Sequence, residues 1–176
     1  PTCFAVFRRS PDVADSTLVD LVKSMVEHAR YLQAHPTGGN WLTMEMNGLF
    51  HAGVLLPWLA ESKGWRDVAA KTLLAELDRQ VYEDGAQVEL TPGYHVVSLR
   101  NFLGPVLLAD ACGVGLPPGY REKLERMFAY CLWAMTPDRD MPRWNDSWRV
   151  DVPRLLEEGV RLFPHRADFR WVATDG

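Results

Sequence analysis

Apolar residues that recur every three or four positions, in six runs broken by Gly and Pro clusters, constrain this chain to an all-α fold. The first run follows the helix starters Ser16 and Thr17 through Leu18, Leu21, Val22, Met25, Ala29 and Leu32, and stops at Pro36-Thr37-Gly38-Gly39. Leu42, Met46, Leu49, Phe50, Gly53 and Val54 carry the second, which places Asn40 at a helix start. In the third, the stripe Trp65, Val68, Ala69, Thr72, Leu73, Leu77 and Val81 is expected to be core, with Asp84-Gly85 ending the helix. The fourth runs from Val96 to Leu107, with Tyr94 and His95 in its first turn and Pro105 expected to bend it. Tyr120 to Met135 and Val152 to Val160 supply the fifth and sixth, separated by a long loop over 136–148. Period-two alternation is too short anywhere to require a sheet, although Gln87 to Leu90 could pair briefly. Six helices of this kind can form three antiparallel hairpins, each burying one face against the next.

A chain of 176 residues with 47% hydrophobic content suffices for one core, so residues 1–176 are expected to form a single domain. The formal charge of −4 offers no basic excess to attract nucleic acid. Cys3, Cys112 and Cys131 are odd in number and far apart, unlike a disulfide framework or a zinc knuckle, and are expected to be buried apolar side chains. No apolar run reaches the ~18 residues that would cross a bilayer. The start, Pro1-Thr2-Cys3-Phe4, reads as that of a piece excised from a larger protein.

Polar and aromatic residues gather in three places: 38–41, 84–95 and 143–148. The first two open even-numbered helices and are expected at the same end of consecutive hairpins. Trp, Tyr, Asn, Glu and His on such a rim would suit sugars, since aromatic faces stack on pyranose rings while amides and carboxylates bond hydroxyls. Each residue also has a plain structural reading. Asn40 after Gly-Gly fits an N-cap, Tyr94 a packed aromatic, His95 a helix-start polar residue and Glu89 a solvated carboxylate. Trp144 and Trp148 fit packing and ligand contact equally well. The histidines lack metal-ligand spacing.

The run Thr37-Gly38-Gly39-Asn40-Trp41-Leu42-Thr43-Met44-Glu45, with Gln80-Val81-Tyr82-Glu83-Asp84-Gly85 and Glu89-Leu90-Thr91-Pro92-Gly93-Tyr94-His95, resembles the helical domain of the heparinase II/III family of polysaccharide lyases. The similarity covers residues 16 to 112 and, more weakly, the Asn145-Asp146 loop. The resemblance implies part of an incomplete (α/α) toroid, followed in the whole protein by a C-terminal β-sandwich domain that this chain lacks. It implies cleavage of uronic-acid-containing chains by β-elimination, in the periplasm or outside a Gram-negative cell. Asn40 would then neutralise the substrate carboxyl and Tyr94 would protonate the leaving oxygen, in some members serving also as base. Trp41, Glu45, Glu89, His95 and Asn145 would contact substrate or hold those two in place. No cofactor is implied in this domain, and a metal would fall to the β-domain, as would the histidine that typically acts as base. Related lyases carry a histidine at or next to the Asn40 position, whereas here Trp41 follows, which favours the heparinase III pattern; the absence of a basic run weakens the case for a highly sulfated substrate. Alginate and bacterial exopolysaccharides stay open.

Two other classes compete with a lyase. An inverting glycoside hydrolase on a similar toroid would need two carboxylates ~6.5–9.5 Å apart, drawn from Glu45, Glu89 and Asp146. A non-catalytic helical scaffold would bind a polysaccharide or a protein partner without turnover.

Overall fold

A computed structural model describes residue 10 and residues 12–174, and among the described residues the chain is all-helical, with no strand. Cys3 therefore lies outside the described residues. The helices are α1 (Asp15–Ala34), α2 (Gly39–Leu55), α3 (Ser62–Gln80), α4 (Pro92–Cys112), α5 (Tyr120–Trp133), α6 (Val152–Leu162) and α7 (Ala167–Ala173). None is long and apolar enough to cross a membrane. The described residues group into two compact units, one reaching as far as Leu73 and including Gly104–Leu116, the other made of Leu74–Leu103 and the chain from Pro117 onward.

In the first unit, α1 packs against α2. The start of α1 precedes the expected Ser16 and Thr17: Ala14 is the N-cap, without a side-chain hydrogen bond, and Asp15 lies in the first turn, where a carboxylate favours the positive end of the helix dipole. Pro36 ends α1 because the residue before a proline is pushed out of the helical region. Leu42, Met46, Leu49, Phe50, Trp65, Ala69 and Leu73 are buried, as the helical spacing required. Val68, expected in the same core stripe, is exposed, because it lies about a quarter-turn off the line through Trp65, Ala69 and Leu73. Gly53 marks a close approach: a Cβ there would stand 2.6 Å from the Ser62 carbonyl oxygen and 2.7 Å from the Arg66 nitrogen. Only glycine lets α2 come this near the start of α3.

The second unit is centred on Leu99, Phe102, Tyr120, Leu124, Met127 and Phe128, all inaccessible to solvent. The buried Tyr120 hydroxyl donates to the Phe102 carbonyl at 3.0 Å, so the ring is enclosed without stranding its polar atom. Phe163 and Phe169 meet Phe128 at centroid distances of 6.1 and 6.3 Å. Phe169 belongs to α7, a seven-residue helix too short to show a period in sequence. Cys131 is buried, which pushes its thiol up to about 12 and leaves it inert, as expected. Cys112 is exposed, contrary to expectation, because it is the last residue of α4.

α3 ends at Gln80 rather than at Asp84-Gly85. The backbone leaves the helix to pair Val81 with Gln87, so the brief pairing expected at 87–90 is real but limited to one bridge. Asp84 Oδ1 accepts from the Ala86 N–H at 2.9 Å, which closes the turn. Gly85 adopts φ +92°, and a Cβ on it would fall 2.0 Å from the Arg126 carbonyl oxygen. This turn thus lies directly on α5, at a spot open only to glycine.

Candidate active site

The residues named from sequence fall into both units: Asn40, Trp41 and Glu45 in the first, Glu89, Tyr94, His95 and Asn145 in the second. At the start of α2 the N-cap is Gly38, with no side-chain cap, and Gly39 follows at φ +61°. Asn40 is therefore inside the first turn and is not the cap. It is half-buried, and its carbonyl accepts from the Thr43 hydroxyl at 2.6 Å. Glu45 reaches back along the helix, and its Oε2 accepts the Thr37 N–H at 2.9 Å, fixing the segment that leads into Asn40. Trp41 is 67% exposed.

In the second unit, three contacts clasp the loop 144–148 to the start of α4. The Gly93 N–H, one of the first-turn donors that a helix cannot satisfy itself, donates to Ser147 Oγ at 3.1 Å. Asn145 Nδ2 donates to Thr91 Oγ1 at 3.4 Å, with Asn145 at φ 52°. The Trp148 ring lies edge-on to Tyr94, with centroids 6.1 Å apart. Tyr94 is half-buried in the first turn of α4, where the sequence put it. Its hydroxyl bonds to no other group among the described residues, which leaves it available to a ligand. Glu89 is exposed on the approach to this turn.

His95 faces inward. It is 1% exposed, meets the tilted Tyr130 ring at a centroid distance of 4.8 Å, and donates through Nε2–H to the Met127 carbonyl at 3.1 Å. Of its two expected roles, substrate contact or support, this enclosure suits support: it ties the residue after Tyr94 to α5. Burial lowers its pKa to about 4, against a partial offset from the Met127 hydrogen bond. The folded state thus holds fewer protons than the unfolded one between that value and ~6.5. The resulting stability is complete above the unfolded value and is lost as pH falls toward about 4. Chemical denaturation across this range should show a slope of up to ~1.4 kcal/mol per pH unit, absent in His95→Gln.

Asp140 organises the loop from beneath. Burial alone would raise its pKa, but the Val150 N–H at 2.7 Å, the Arg143 guanidinium and the Met141 N–H outweigh burial and hold it below the ordinary value. A lowered carboxylate pKa stabilises the fold above the unfolded value, and that contribution is lost as pH falls through the folded one. Asp140→Asn should cost ~2 kcal/mol, read by thermal unfolding, and should weaken hydrogen-exchange protection of the Val150 amide. Sequence reading did not single out Asp140; its signal is a buried acid beside Arg139 at φ 64°.

A cleft of about 480 Å³ in the second unit, lined by Leu77, Asp78, Val81, Tyr82, Glu83, Lys123 and Arg126, contains none of the seven candidate site residues. No group of three or more His, Cys, Asp or Glu among the described residues could hold a metal.

The all-helical fold is that of a known class of proteins. The family profile described as Heparinase II/III N-terminus matches residues 1–171, and the chain belongs to that family. It is 31% identical over its whole length to a heparin-sulfate lyase of Pedobacter heparinus and 27% identical to one of Bacteroides stercoris. It spans 28% and 27% of the length of those two relatives. Its fold matches the crystal structure of heparan sulfate lyase HepC from Pedobacter heparinus with a TM-score of 0.82 at 31% identity, over 98% of this chain and 28% of that one. A heparinase III structure superposes with a TM-score of 0.90 at 24% identity, over 99% of this chain and 29% of that one, a likeness of fold alone.

Proposed function

We propose that the full-length protein is a polysaccharide lyase that cleaves a uronic-acid-containing chain by β-elimination, with a heparan-sulfate-like glycosaminoglycan as the first substrate to consider. The reading rests on Tyr94: a half-buried phenol at the first turn of α4 whose hydroxyl bonds no other group among the described residues, in a chain similar to heparin-sulfate lyases. In the reaction a base removes the C5 proton, the C–H electron pair becomes the C4=C5 double bond, and the C4–O4 bond breaks. O4 takes its proton from the Tyr94 hydroxyl, which acts as the general acid.

Negative charge grows on the uronate as C5 is deprotonated, and the Asn40 amide donates to that carboxyl without adding a competing base. Trp41, Glu89 and Asn145 are assigned to substrate contact, and Glu45 and His95 to support. The base is assigned to a histidine of a C-terminal β-sandwich domain, and the protein to the periplasm or the exterior. Full-length protein given heparan sulfate, alginate and hyaluronan should release products absorbing in the ultraviolet from at least one. New reducing ends without that absorbance would refute elimination.

A further inference from the structure

Trp148 is 47% exposed, yet it is the residue that α4 is shaped to receive. A Cβ on Gly93 would lie 2.8 Å from its Cζ3 and 2.9 Å from its Cε3, closer than real contacts allow, so the ring rests on bare backbone. Its edge-on contact with Tyr94, 6.1 Å between centroids, holds the phenol from the side. The Ser147 and Asn145 hydrogen bonds to Gly93 and Thr91 fix the loop at two further points, and the buried Asp140 fixes its base. A tryptophan serving only the core would be covered. This one is held firmly and left half open, and Trp144, 60% exposed, stands on the same loop.

We propose that Trp148 is a positioning residue for Tyr94 and that its uncovered half is the stacking platform for the pyranose ring that receives the Tyr94 proton. This rests on the reading of Tyr94 as proton donor. Indole against a pyranose face buries apolar C–H surface with little loss of side-chain entropy, because the Gly93 seat already fixes the ring. One side chain then sets both the donor and the sugar, and small displacements of either are costly, since a misplacement of ~1 Å can lower a rate ~100-fold.

The test uses the full-length protein and heparan sulfate, with Trp148→Ala, Trp148→Phe and Gly93→Ala, each in the native and in the Tyr94→Phe background. Trp148→Ala should lower kcat by ~10- to 100-fold and raise KM, while Trp148→Phe should restore most of kcat. In the Tyr94→Phe background, Trp148→Ala should cost much less further kcat than in the native background, because the donor it positions has gone, but should still weaken calorimetric binding of a heparan sulfate oligosaccharide. Native kcat and KM in Trp148→Ala, or a kcat loss that adds fully to that of Tyr94→Phe, would overturn the positioning role. Unchanged oligosaccharide binding would overturn the platform. If Trp148→Ala fails to fold, Gly93→Ala, which displaces the ring without deleting it, decides the same points. A native rate in Tyr94→Phe alone sinks the donor reading and with it the positioning role, and leaves the platform to be judged by binding.

Discussion

Tyr94→Phe in the full-length protein should lower kcat by ~10²- to 10⁴-fold, the range lost when a positioned general acid is removed. The substitution deletes one oxygen and keeps the ring, so the edge-on contact with Trp148 survives. The lost hydroxyl bonds no other group among the described residues, so the unfolding midpoint should hardly move. KM should change little, because in the proposed reaction the proton is delivered only as the C4–O4 bond breaks. A native kcat would mean that the leaving oxygen is protonated by something else.

Asn40→Ala should lower kcat by ~10²- to 10³-fold, comparable to removing one preorganised donor from a site where negative charge develops. The structural alternative for this residue was helix capping, and Gly38 holds that place without a side-chain bond. The variant thus deletes no cap, and circular dichroism separates any loss of fold from the loss of rate. Asn40→Asp is a sharper probe, since in the proposed role it would set an anion against the substrate carboxylate; its loss should exceed that of the alanine variant. Equal activity of Asn40→Ala and the parent would remove the amide from the mechanism.

Helices were legible wherever a stripe of large apolar residues ran for three turns or more, as from Leu42 to Val54 or from Tyr120 to Cys131. Their ends were less so. Ser16 and Thr17 resemble caps, but the dipole-favoured Asp15 already lies within α1. Val81 continues the stripe of α3, but the turn closed by Asp84 competes for the same backbone and wins. The motifs placed Asn40 and Tyr94 at helix starts, and the fold agrees. Motifs could not reveal that His95 turns inward, since its environment comes from Met127 and Tyr130, far along the chain. Nor could they show that Gly93 is a seat for Trp148, a contact across more than fifty positions, as the neighbouring Gly93–Ser147 bond with its separation of 54 records.

The central claim, elimination rather than hydrolysis, is tested most directly by letting the full-length protein cleave heparan sulfate in water enriched in heavy oxygen and weighing the products. Elimination adds no water, so each new non-reducing end should carry a C4=C5 double bond, and the products should contain no heavy oxygen from the cleavage itself. Saturated products that have gained one heavy oxygen per broken bond would contradict the lyase reading.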